Sequence, residues 1–235
     1  MTRLYFIIII LITSNCNEKC ESFSSNKDNI YGIDVSHYQN QIEKINWTEV
    51  KQNTNPKIEF VYIRSTMGGD GVDTTFKYNF ENAKKNNLKV GIYHYFRPNE
   101  SGLKQFENFK KHNEIIGDLP LVIDIEKRSR FGRRQLIKEL LIFIKLIEKT
   151  YQNIELIIYS PQKFYNIYLR NQFKNHEFWI ARHNGINKYP ESNQMKHEPK
   201  LLDKRCPLIW QYSATGTVKG IKGPVDLNVM REKIW

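Results

Sequence analysis

Leu119-Pro-Leu-Val-Ile-Asp-Ile-Glu126 is an apolar run that closes on two carboxylates. Five of its eight residues are aliphatic, the pattern of a strand buried on both faces in a parallel sheet or barrel. Residues two apart on a strand point the same way, with Cα atoms roughly 6.6 Å apart. Asp124 and Glu126 therefore share one face at the C-terminal end of the strand. A lone buried charge is expensive, so acids placed there need a partner, a metal or a task. In α/β barrels that end of the strand is where active sites are built.

Strand and helix patterns alternate around this run. Upstream strands are expected at Ile30–Ser36, Ile58–Ser65 and Leu88–Phe96, with helices at Trp47–Gln52, Asp73–Asn87 and Leu103–Asn113 between them. Asn46 and Asp73 are the expected N-caps of the first two helices. Downstream, Leu136, Leu140, Phe143, Ile144 and Ile147 form the apolar stripe of a long helix from Arg133 to Tyr151. A strand at Ile154–Ser160 and a helix at Pro161–Leu169 follow. Three more strands, Glu177–His183, Pro207–Ser213 and Val225–Met230, lack helical connections. Alternation argues for a parallel sheet with right-handed crossovers, and eight strands argue for closure. The expected architecture is an α/β, TIM-like (β/α)5(β)3 barrel.

The N-terminus sets a location. A short basic start leads into the apolar run Leu4–Ile12, too short to span a bilayer but suited to a signal-peptide core. Residues 1–16 are read as this signal, 17–29 as a polar tether and 30–235 as the domain. Cys16 is a candidate lipidated residue that would anchor the chain to a membrane; ordinary secretion and an uncleaved anchor are the alternatives. All three place the domain outside the cytoplasm. An oxidising compartment would permit a Cys20–Cys206 bridge; two free thiols is the favoured reading.

The formal net charge of +11 favours anionic partners. No nucleic-acid signature accompanies it, so no nucleic-acid partner is expected. Gly68, Gly69 and Gly71 lack the P-loop lysine and the GxGxxG spacing, which leaves a turn lining a cleft. No Cys/His cluster suggests a metal.

Polar and aromatic side chains recur at the strand C-termini: Asp34, Tyr62 and Arg64, Tyr93 and Tyr95, Asp124 and Glu126, Tyr159, Trp179 and Arg182, Trp210 and Tyr212, and Asp226. Converging carboxylates can cleave a glycosidic bond, and aromatic faces stack on sugars. The rival reading of each aromatic is core packing, and of His37 and His94 a structural hydrogen bond. One acid of the pair could also be salt-bridged to Arg64 or Arg182.

The domain resembles glycoside hydrolase family 25, the Chalaropsis-type lysozymes. The resemblance rests on Gly32-Ile-Asp-Val-Ser36, Phe60-Val-Tyr-Ile-Arg64, Gly91-Ile-Tyr-His-Tyr-Phe-Arg-Pro98, Asp124-Ile-Glu126, Phe178-Trp-Ile-Ala-Arg182, Trp210-Gln-Tyr-Ser213 and Val225-Asp-Leu-Asn228, in order. It implies a flattened barrel of eight strands and five helices, and hydrolysis of the β-1,4 bond between N-acetylmuramic acid and N-acetylglucosamine in peptidoglycan, with net retention and no cofactor. By the same resemblance Glu126 is the general acid, Asp124 the assisting carboxylate, and Asp34 and Asp226 tune the pair. Glu126 is expected to carry a raised pKa. Tyr62, Tyr93, Tyr95, Trp179, Arg182, Trp210 and Tyr212 are the candidate sugar contacts. Met67 and His183 depart from the family pattern, which usually has Glu and Tyr there. A monomer is expected. A glycan-binding barrel without catalysis, or a hydrolase of another N-acetylglucosamine polymer, are the alternatives.

Overall fold

The computed structural model describes residues 20–235 except 24, 54–56 and 184–196. The signal segment and Cys16 lie outside the described residues. The chain forms β1 (Ile30–Val35), α1 (Trp47–Lys51), β2 (Ile58–Met67), β3 (Gly71–Val72), α2 (Phe76–Lys85), β4 (Lys89–Tyr95), α3 (Gly102–His112) and β5 (Leu121–Asp124). It continues with α4 (Arg133–Thr150), β6 (Leu156–Pro161), α5 (Gln162–Phe164, followed by a π-helical turn at Tyr165–Leu169), β7 (Glu177–Ala181), β8 (Ile209–Gly216) and β9 (Val225–Met230). Eight strands run in the order β1-β9-β8-β7-β6-β5-β4-β2, and a β1–β2 pairing closes the barrel. The two-residue β3 only folds back on the tip of β2.

The sheet is parallel from β1 through β2 and β4 to β8, but β9 runs antiparallel to both neighbours. An all-parallel barrel would need a crossover between its last two strands. The link from β8 to β9, residues 217–224, is short and has no helix, so β9 returns beside β8 instead.

Side-chain alternation divides the apolar residues into an inner and an outer set. Phe60, Tyr62, Val122, Ile157, Trp179, Ile209 and Met230 fill the barrel. On β5, Leu121 and Ile123 point out against α3 and α4, where Phe109, Leu136, Leu140 and Phe143 cover them. The expected stripe of α4 is buried residue for residue. Two glycines of the strand motifs have a packing reason. A Cβ at Gly32 would overlap the Phe60 ring, and one at Gly91 would overlap the Tyr62 ring. Interior rings thus occupy the space that these strands leave open.

Among the described residues no helix links β7 to β8 or β8 to β9, and the N-terminal stretch packs against the outer face of β8. Phe23 is fully buried, 5.7 Å from the Trp210 ring, with the Arg231 guanidinium 3.9 Å from its own ring centre. Cys20 is disulfide-bonded to Cys206, with Cα atoms 5.4 Å apart. The stretch read as a polar tether is therefore fixed to the domain at Cys20 and Phe23, and the free-thiol reading gives way to a bridge. Asp73 also differs from expectation. Thr75 is the N-cap of α2, while Asp73 ties Arg64 to the loop ahead of the helix.

Candidate active site

The end of the barrel that carries Asp124 opens into a cavity of about 540 Å³. Asp34, Asp124, Glu126 and Asp226 all line it. β1 and β5 deliver Asp34 and Asp124 at their C-terminal ends. Glu126 lies two residues beyond β5, past Ile125, whose N–H still bonds Tyr159 on β6. Asp226 arrives differently. It is the second residue of β9, not a residue of a strand C-terminus, and the antiparallel run of β9 brings its beginning to this face.

Asp34 is the best-held of the four. Its Oδ2 accepts from Asn228 Nδ2 at 2.7 Å and Gln211 Nε2 at 3.0 Å. Asn228 Oδ1 in turn accepts from Trp179 Nε1 at 3.0 Å. Gln211 Oε1 accepts from the Tyr159 hydroxyl at 2.9 Å and lies 3.0 Å from His183 Nε2. Burial pushes Asp34 up to about 6, against the pull of these donors. Asp226 is raised further, to about 9, by burial and by the charges of Asp34 and Glu126. Asp124 is raised well above the usual carboxylate range, first by burial and then by Glu126, to which it is hydrogen-bonded. Its Oδ1 is buried without a partner.

Of the expected sugar contacts, Tyr93, Tyr95 and Trp179 line the cavity. Tyr62 does not. It points into the barrel one layer deeper, wholly buried, with its ring 5.0 Å from Trp179. Trp210 and Tyr212 are corrected too: they point outward on β8 and are fully buried in the outer core. Between them, Gln211 points inward. Arg182 is off the cavity wall, with Nη1 on the Glu198 carbonyl at 2.9 Å. Arg64 is on the wall but is bridged to Asp73 at 3.0 Å, not to either acid of the pair. His94 is structural: fully buried, it lies 2.8 Å from Thr66 Oγ1 and 3.3 Å from Gln105 Oε1, and burial lowers it to about 3. Gln211 and Asn228 complete the site beyond the expected set, and Tyr159, one of the strand-end aromatics, joins it through Gln211. Asn228 stands two residues after Asp226, and that spacing is the signal that places both on one face.

The model of the glycosyl hydrolases family 25 matches residues 33–221. The chain belongs to glycosyl hydrolase family 25. An uncharacterized protein, YegX, of Escherichia coli strain K12 is 33% identical over 203 residues, covering 85% of this chain and 69% of that one. Lysozyme M1 of Streptomyces globisporus is 29% identical over 214 residues, covering 85% and 67%. Among solved structures, a family 25 glycosyl hydrolase from Bacillus anthracis superposes with a TM-score of 0.73 at 28% identity, over 93% of this chain and 95% of that one. A bacterial lysozyme from Streptomyces coelicolor does so with 0.68 at 27%, over 87% and 93%.

Proposed function

We propose that this family 25 chain is a muramidase that cleaves the β-1,4 bond after N-acetylmuramic acid in peptidoglycan, with net retention. The observation that carries the reading is the hydrogen-bonded Asp124–Glu126 pair in a cavity that Asp34 and Asp226 also line. A barrel that only held a glycan would gain nothing from desolvating carboxylates.

General-acid catalysis needs one proton held at the pair. Turnover places that proton on Glu126, the more accessible of the two. Glu126 gives it to the leaving glycosidic oxygen. Two acids from adjacent positions of one chain segment are poorly placed to flank a sugar, which direct attack by a carboxylate would require. The 2-acetamido carbonyl oxygen attacks C1 instead, and anionic Asp124 accepts the amide N–H as positive charge develops. Glu126 then takes a proton from water, which opens the bicyclic intermediate from the same face. Asp226, protonated at neutral pH, can donate to a sugar hydroxyl, while Asp34 is held in place by Gln211 and Asn228.

The Cys20–Cys206 bridge supports an extracytoplasmic setting, and the +11 charge suits an anionic wall. Purified protein incubated with peptidoglycan should release chains with N-acetylmuramic acid at the new reducing end. N-acetylglucosamine at that end, or no release, refutes the assignment.

A further inference from the structure

Lys127-Arg-Ser-Arg-Phe-Gly-Arg-Arg134 begins at the residue after Glu126 and enters the rim of the cavity through Lys127. It holds five cations in eight residues and no acid. Four of the chain's eleven arginines are here, although lysine is the commoner cation overall. All five cations are exposed, and none of the ion pairs among the described residues involves them. The loop is nevertheless held in one shape. Asn99 Oδ1 accepts from the Arg130 N–H at 2.8 Å and the Ser129 hydroxyl at 3.2 Å, and Ser129 Oγ accepts from the Phe131 N–H at 3.1 Å. Phe131 is 58% exposed, with the Arg130 guanidinium 4.7 Å from its ring centre.

Local stability does not account for this sequence. Arg133 and Arg134 occupy the first turn of α4, where the helix dipole disfavours cations, and no side chain caps that end. A segment that breaks local rules while staying ordered is a candidate for a task. Arg133 is occupied by the Tyr168 carbonyl, at 2.9 Å. Lys127 lies against Tyr95, its ammonium 6.0 Å from the ring centre, which leaves Arg128, Arg130 and Arg134 outside every ion pair among the described residues.

We propose that this rim binds the carboxylates of the peptide substituents carried by the glycan strand in the cavity; the inference rests on the muramidase reading. Lys127 lines the cavity itself, so the rim is continuous with the glycan path. Anions reached from there hang from the bound strand. Arginine forks match carboxylates in two-pronged geometry, and Phe131 offers an apolar surface to peptide side chains.

The test uses binding, measured on Glu126→Gln protein so that cutting does not interfere. Soluble glycan chains bearing peptides are compared with the same chains stripped by an amidase. Peptide-bearing chains should bind roughly tenfold tighter at low salt, and less so at high salt. Adding Arg128→Ala, Arg130→Ala and Arg134→Ala should bring the two affinities together, with thermal unfolding showing that the protein remains folded. The conservative lysine triple should keep part of the preference. Equal affinity for both chains in the unaltered rim overturns the proposal. So does a triple variant that weakens both alike, or one that loses only binding to a glycerol-phosphate polymer. If wild-type protein cuts neither chain yet the peptide preference stands, the hydrolase reading fails and the docking surface survives.

Discussion

Asp34 and Asp226 stand directly opposite each other across the antiparallel β1–β9 pair. Two carboxylates in register on facing strands repel each other, and burial removes the water that would screen them. The barrel answers with donors for one and a proton for the other. Asp34 has Asn228 and Gln211; Asp226 is raised to about 9.

That arrangement has a pH signature in stability. Asp226 is raised from the ordinary 3.8 to about 9 in the fold, so its favourable contribution is complete below pH 3.8 and is lost as pH rises through 9. A tenfold change in proton affinity is worth about 1.4 kcal/mol, and each kcal/mol moves Tm by about 2–4 °C at this size. Asp226→Asn should therefore raise Tm at pH 8 by about 5 °C or more, with the gain vanishing near pH 4. Equal gains at both pH values in thermal unfolding would count against a buried, protonated Asp226.

Glu126→Gln should lower kcat on peptidoglycan by about 10²–10⁴-fold without loss of fold, the range for a removed general acid. Asp124→Asn should also be severely impaired. Glycan chains with the 2-acetamido group replaced by an amine should resist cleavage by the wild type. Normal turnover of those chains would favour a carboxylate nucleophile over substrate assistance.

Gln211 acts on Asp34 through one hydrogen bond, and a donor to the charged form lowers a carboxyl pKa. Gln211→Leu should move Asp34 upward from about 6, shifting the acid limb of the kcat/KM profile to higher pH. A variant with lower activity but an unmoved acid limb would mean that Gln211 serves packing alone.

The Cys20–Cys206 bridge closes a loop across 186 residues and fixes the strand of chain that seats Phe23 on Trp210. Reduction, or Cys206→Ser, should cost about 2–4 kcal/mol, or about 5–15 °C in Tm. No change in Tm on reduction would show that the docked segment holds without the bridge.

Much of the fold was readable from apolar periodicity. Strands alternating with helices implied a closed α/β barrel, and the α4 stripe was correct to the residue because a 3.6-residue period needs no distant partner to be seen. Phe23 was missed because a single aromatic in a polar stretch carries no period. The cysteine pairing stayed open because two thiols 186 residues apart meet only in the folded chain.

Sequence by itself determined that Asp124 and Glu126 lie together at one end of a buried strand, and that the chain resembles family 25. Only the tertiary structure decided which side of each strand faces the cavity. Trp210, Gln211 and Tyr212 alternate in any strand, but barrel closure selects the odd residue for the interior and sends both aromatics to the outer core. It likewise decided the direction of β9, which carries Asp226 to Asp34 at the beginning of a strand where a parallel barrel would have used the end. Strand parity is local, whereas the choice of inside and the direction of a closing strand depend on neighbours far away in the chain.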